Sequence, residues 1–119
     1  MVVFDTNIFI YAGNGSIDLS KLEGVEACYA SISIVEALGF QQITAAEQRV
    51  LQRLFAAYEN IDLSQPIIEH AVKLRQSKKM SLGDAVVAAT ALEYDLTLWT
   101  ANTDDFHHID ELKLLNPLL

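Results

Sequence analysis

Short apolar runs with strand character alternate with longer segments of helical spacing along most of the chain, and this alternation constrains the fold more than any other feature. Val2-Val3-Phe4 reads as a buried strand, and a second strand follows around Ala27 to Ala30, after a Gly13-Asn14-Gly15-Ser16 loop. Ile34, Val35 and Leu38 mark a helix. Thr44-Ala45-Ala46-Glu47 has the form of a capping box and opens a helix with Val50, Leu51, Leu54, Phe55 and Tyr58 on one face. A weak third strand, Asn60 to Leu63, leads to Ser64 as an N-cap, with Pro66 in the first turn, where a missing amide costs little. Ser81 caps an alanine-rich helix from about Leu82 to Tyr94. Leu96 to Trp99 is the clearest strand, and Leu112 to Leu115 the last, ended by Asn116-Pro117. Strands alternating with helices predict an α/β fold, a parallel sheet of four to five strands covered on both faces. A chain of 119 residues with no visible repeat or linker has room for one such domain, spanning 1–119.

Charge narrows the functional classes. Asp and Glu outnumber Lys and Arg 16 to 8, for a net charge of −8. Bulk attraction to nucleic acid or to an anionic membrane is therefore excluded, and any polyanion must be met locally or through cations. The opening residues show no basic segment followed by an apolar stretch, and no apolar run is long enough to span a bilayer. The one cysteine, Cys28, reads as strand core, and a cytoplasmic location is the expectation.

The acids fall at informative places. Open α/β sheets carry functional groups outside the carboxyl ends of their strands. Asp5 directly follows the first strand, while Thr100, Asn102, Asp104 and Asp105 follow the strand carrying Trp99. Glu36 lies in the helix after the Cys28 strand, with Ile32, Ile34, Val35 and Leu38 around it, and is expected to be buried and partnered. Asp84 starts the helix preceding the Trp99 strand. Asp5, Glu36, Asp84 and Asp105 can thus converge on one rim, where mutual repulsion calls for a cation. Oxygen donors suit Mg²⁺ or Mn²⁺, and such ions can activate water for phosphodiester cleavage.

Each acid also has a plainer role open to it. Asp84 stands three residues after Ser81 and can complete a capping box; Asp5 can start a turn; Asp104-Asp105 can solvate a loop. A phosphoacceptor receiver domain is an α/β module of similar size, with Asp62 in the acceptor's place, but the lysine expected after the last strand is absent. A phosphatase with an Asp-x-Asp nucleophile is weaker, because Asn7 holds the second position.

Four segments in order resemble one known family. Val3-Phe4-Asp5-Thr6-Asn7-Ile8-Phe9-Ile10-Tyr11 is similar to the first motif of PIN domains, specifically the VapC-type toxins of toxin–antitoxin systems. Ser31 to Phe40, centred on Glu36, resembles the second motif, and Ser81-Leu82-Gly83-Asp84-Ala85-Val86-Val87-Ala88-Ala89-Thr90-Ala91 the third. Leu98 to Phe106 resembles the fourth, and Leu115-Asn116-Pro117 the usual ending. The resemblance implies a three-layer α/β/α fold and an endoribonuclease dependent on Mg²⁺ or Mn²⁺, with one or two ions per site. By motif, Asp5 and Asp84 would be the metal ligands, Glu36 and Asp105 (rather than Asp104) would complete the quartet, and Thr6 and Asn102 would be polar helpers. It also implies an RNA substrate, a homodimer, and an antitoxin whose basic segment covers the acidic site. A PIN-like module that binds without cleaving is the other outcome within the family. Gly83 departs from the pattern, standing where close relatives often have Pro.

The remaining polar residues divide. Lys73, Arg75, Lys78 and Lys79 fall together, half of the chain's 8 basic residues. Lys78 and Lys79 are read as substrate contacts, Lys73 as a solvated helix end. His70, His107 and His108 are read as surface or satisfied residues, since one cysteine cannot complete a zinc site with them. Phe9, Tyr11 and Phe40 are expected in apolar packing, and Trp99 in the core.

Overall fold

A computed structural model describes the chain from Met1 to Leu119. In order it contains β1 (Val2–Phe4), α1 (Thr6–Gly13), β2 (Ala27–Ala30), α2 (Ile32–Leu38), α3 (Ala45–Ala57), β3 (Glu59–Ile61), α4 (Gln65–Ser77), α5 (Leu82–Glu93), β4 (Thr97–Trp99) and β5 (Leu114–Leu115). Single 3-10 turns sit at Leu19–Lys21 and Thr103–Asp105. The strands form one parallel sheet in the order β3-β2-β1-β4-β5, with Val3 opposite both Cys28 and Leu98. The expected α/β class and parallel sheet are therefore present, with five strands.

Side chains on a strand alternate between faces, and here each face has its own core. Val3, Cys28, Ala30 and Leu98 pack with α4 and α5. Phe4, Ala27 and Tyr29 pack on the other face with Ile8, Phe9, Leu51 and Phe55 from α1 and α3. Helix α5 is apolar nearly all round: Ala85, Val86, Val87, Ala88, Ala89 and Ala91 are all buried. Its small alanines let it lie close between α4 and the sheet. The Cys28 thiol is pushed up to about 11, chiefly by burial, which fits its place in the core. No helix is long and apolar enough to cross a membrane.

Helix α1 has no counterpart in the sequence pattern. Ile8, Phe9, Ile10 and Tyr11 are β-branched or aromatic and suit a strand as well as a helix. Tertiary packing selects the helix, because only that geometry puts Ile8, Phe9 and Ala12 together against α3. The third strand lies slightly earlier than expected and leaves Leu63 exposed. The last strand is shorter, because Leu112 turns into the core before pairing begins. At α3, Thr44 Oγ1 accepts the Glu47 amide at 3.1 Å, but the Glu47 carboxylate accepts from the Thr44 hydroxyl at 3.0 Å, so only half of the capping box forms. Ser64 caps by position without a side-chain bond. Trp99 is half-buried, its ring 5.7 Å from that of Phe4.

Phe9 is the hub of the aromatic cluster, stacked on Phe55 at 4.3 Å with Tyr29 and Phe4 edge-on at 5.2 and 5.8 Å. Phe40, by contrast, is 56% exposed. Phe9→Ala is expected to cost about 3–5 kcal/mol in urea denaturation. Phe40→Ser should cost about 1 kcal/mol or less.

Candidate active site

The chain runs from β1 outward to β2 and β3, then returns to place β4 on the other side of β1. Strand order reverses between β1 and β4, and the crevice at such a switch point is where open α/β sheets bind ligands. Asp5 leaves β1 at that point, its amide bonded to the Trp99 carbonyl at 2.9 Å. Its side chain is 3% exposed. From the end of β4, the buried Thr100 hydroxyl donates to Asp5 Oδ2 at 2.8 Å and accepts the Asn102 amide at 3.0 Å.

Glu36 arrives from α2, which touches both α1 and α5 and so bridges the two helical layers at this rim. Contrary to the expectation of a buried glutamate, Glu36 is exposed: the turn of α2 points Ser33 and Ala37 inward and Val35 and Glu36 outward. It is nonetheless partnered. The Thr6 hydroxyl donates to Glu36 Oε1 at 2.7 Å and lies 2.8 Å from the hydroxyl of the fully buried Ser33. With its proton given to Glu36, Thr6 accepts from Ser33.

Asp84 sits in the first turn of α5, its amide capped by Ser81 Oγ at 3.1 Å. The capping role is therefore present, but the carboxylate does more. Its pKa is raised by burial and by the nearby charges of Asp105 and Glu36, with the Ser81 hydroxyl pulling the other way. The Asp5 carboxyl is pushed up to about 6, first by burial and then by repulsion from Asp84 and Glu36, against the lowering effect of Thr100. Asp5 thus feels Asp84 and Glu36, and Asp84 feels Asp105 and Glu36, so the four acids named from sequence lie near one another at this rim. Asp104 and Asp105 line the same cleft as Asp84, and Asp105 is the one whose charge acts on it. Asn102 reaches the site through its backbone amide. Asp62 stands apart at the sheet edge, bonded to Ser31 and Asn60, which removes the support for a receiver-type acceptor.

Gly83 explains itself here. A Cβ built at this position would overlap the Glu36 carboxylate, the end of an exposed side chain, so with glycine here that carboxylate lies directly against the first turn of α5. Two further residues, Ser33 and Thr100, belong to the site although sequence reasoning assigned them no role. Their signal is a hydrogen bond to a partner 27 or 95 residues away, which no local pattern encodes.

The donor set is all oxygen, and two of its carboxylates resist ionisation, chiefly through burial and then through the charge of neighbouring acids. That chemistry fits a hard divalent ion. No three acids, histidines or cysteines stand close enough to form a closed cage. An ion held by one or two carboxylates and otherwise by water suits Mg²⁺, which dehydrates reluctantly.

Carboxylates gathered at the switch point of a parallel α/β sheet, with Asp5 buried and the others open to solvent, are the character of this site, and comparison with known proteins identifies the fold that carries it. The family model of the PIN domain matches residues 2–112. A toxin–antitoxin complex from Klebsiella pneumoniae is similar at 30% identity over 98% of both chains, with a TM-score of 0.78. VapBC2 from Rickettsia felis, bound to a DNA fragment from its promoter, is similar at 26% identity over 98% of both chains, TM-score 0.80. VapBC-1 from nontypeable Haemophilus influenzae shares the fold at 19% identity over 100% of both chains, TM-score 0.78. No curated protein sequence matches significantly. The chain belongs to the PIN-domain family, and within it to the VapC type.

Crowding at the rim has a measurable cost when no metal is present. Asp5 ionises more easily in the unfolded chain, at about 3.8, than in the folded one, at about 6. The folded state therefore gains stability as pH falls from 6 toward 3.8, and carries a penalty of up to about 3 kcal/mol above 6. Asp5→Asn is expected to raise stability in EDTA at pH 7 by roughly 1–3 kcal/mol, read from urea denaturation. That gain should shrink as the pH is lowered toward 4.

Proposed function

We propose that the protein is a Mg²⁺- or Mn²⁺-dependent endoribonuclease and the toxin of a toxin–antitoxin pair. The observation that carries this reading is the coupling of Asp5, Glu36, Asp84 and Asp105 into one oxygen-rich cluster at the β1–β4 crevice. The relatives at 30% and 26% identity are toxin–antitoxin assemblies, which supports the second half.

Asp5 and Asp84 would hold one or two ions, with Glu36 and Asp105 acting directly or through water. When bound, such an ion supplies Lewis-acid activation of water and neutralises charge developing at the phosphate. The chain's own residues do the rest. Thr100 holds the Asp5 carboxylate in one orientation and favours its charged form. Ser33 and Thr6 form a fixed relay that orients Glu36, which is exposed enough to meet substrate or water. Asp84 is held at the helix start by the Ser81 cap. The antitoxin would cover this rim with a basic segment, whose Arg or Lys neutralises the same carboxylates and excludes RNA.

The test is incubation of the purified chain with structured and single-stranded RNAs in Mg²⁺, Mn²⁺ or EDTA, followed by analysis of the cut ends. Asp5→Asn and Asp84→Asn should each lower cleavage by about a hundredfold or more, and Thr100→Val by about 10–100-fold, the usual range for an outer partner of a ligand. Cleavage in EDTA equal to that in Mg²⁺ would overturn the metal mechanism. Gly83→Ala should separate fold from site. It replaces a poor helix former and so adds up to about 1 kcal/mol to α5, while displacing Glu36. An unchanged or higher melting temperature with clearly reduced cleavage is the expected pair of results.

A further inference from the structure

Beside the carboxylates lies a cleft of about 650 Å³ lined by both signs of charge. Asp84, Asp104 and Asp105 share its lining with Arg75, Lys78 and Lys79. Unlike charges this close normally pair, yet none of the three cations is in an ion pair; the two ion pairs in the molecule join His70 to Glu93 and Lys113 to Asp95. The segment that carries these cations is tied down at Arg75, while the Lys78 and Lys79 side chains are exposed. Helix α4 ends at Ser77, Lys78 turns extended, and Arg75 Nε donates to the Met80 carbonyl at 3.3 Å, strapping the short α4–α5 connection across the end of its own helix. That connection passes straight into Ser81, the cap of the helix bearing Asp84. Lys73, in the same sequence cluster, lines a different groove with His70 and is not part of this cleft.

A second observation comes from the facing turn. His108 lines the cleft, and its Nε2 is buried with no hydrogen-bond partner in the protein. This departs from the sequence expectation of a surface or satisfied histidine. A buried ring nitrogen left unpaired is costly, and its partner is readily supplied by a ligand.

We propose that Arg75, Lys78 and Lys79 form a phosphate-holding wall that grips the backbone of single-stranded RNA next to the bond being cut. This deepens the ribonuclease reading and rests on it for the identity of the substrate. The division of labour follows from charge. Carboxylates repel a phosphodiester unless cations intervene, so the scissile phosphate alone gives the strand little hold. A neighbouring phosphate seated on the lysines fixes register without reading sequence. It also answers how a chain of net charge −8 holds a polyanion: through a local stripe that its own acids leave unpaired.

The experiment measures binding of a fluorescently labelled single-stranded RNA by anisotropy across a salt series, in Ca²⁺, an ion that carboxylates also hold. The wild-type chain is compared with Lys78→Ala/Lys79→Ala, and cleavage in Mg²⁺ is followed alongside. The double variant should bind about tenfold more weakly, with a salt slope shallower by about 0.7 for each phosphate it no longer neutralises. Weaker binding with an unchanged slope would mark a merely structural role and overturn the wall. Equal affinity and slope in the two proteins, or no RNA binding by the wild type, would overturn it as well. A wild-type chain that binds with the expected slope but does not cut would support the wall while removing the ribonuclease reading.

Discussion

Packing several carboxylates at one rim of a small sheet creates a repulsion that the rest of the molecule is arranged to tolerate. Asp5 is nearly inaccessible to solvent, and burial together with Asp84 and Glu36 drives its carboxyl to about 6. The neighbouring structure offsets part of this with hydroxyl groups. Thr100 donates to Asp5, Thr6 to Glu36, and the Ser81 hydroxyl acts on Asp84. These are neutral donors, which stabilise charge locally without cancelling it. The switch-point topology explains why the crowding occurs where it does: β1 and β4 are adjacent strands at which the strand order reverses, and α5 packs against both.

Much of this was legible in the sequence, and the parts that were not share a cause. Strands β1 and β2 and the alanine-rich α5 follow from local pattern, because both faces of the sheet need apolar cover and the chain supplies it at regular intervals. The four acids were singled out by position and by resemblance to family motifs, and the fold brings them to one rim. Helix α1 was not, since its apolar residues satisfy strand and helix preferences equally and packing against α3 decides. Ser33 and Thr100 were missed for a related reason: each matters through one contact made across the fold. Glu36 was placed correctly but its burial was misjudged, because apolar neighbours in sequence lie on different sides of a helix.

Gly83 shows how a departure from a family pattern can be structural information. Taken as a helix residue it weakens the first turn of α5. Taken with Glu36 it leaves room for that carboxylate against the start of α5. Local stability is given up for proximity of charge, the usual direction of trade at a functional site.

The hydrogen bond between Thr100 and Asp5 spans 95 residues and ties the first strand of the chain to the end of its fourth. The rim therefore has no existence in a partly made chain. Until β4 pairs beside β1, Asp5 lacks both the Trp99 carbonyl that holds its amide and the hydroxyl that holds its carboxylate. Detachment of β4 alone would undo both contacts.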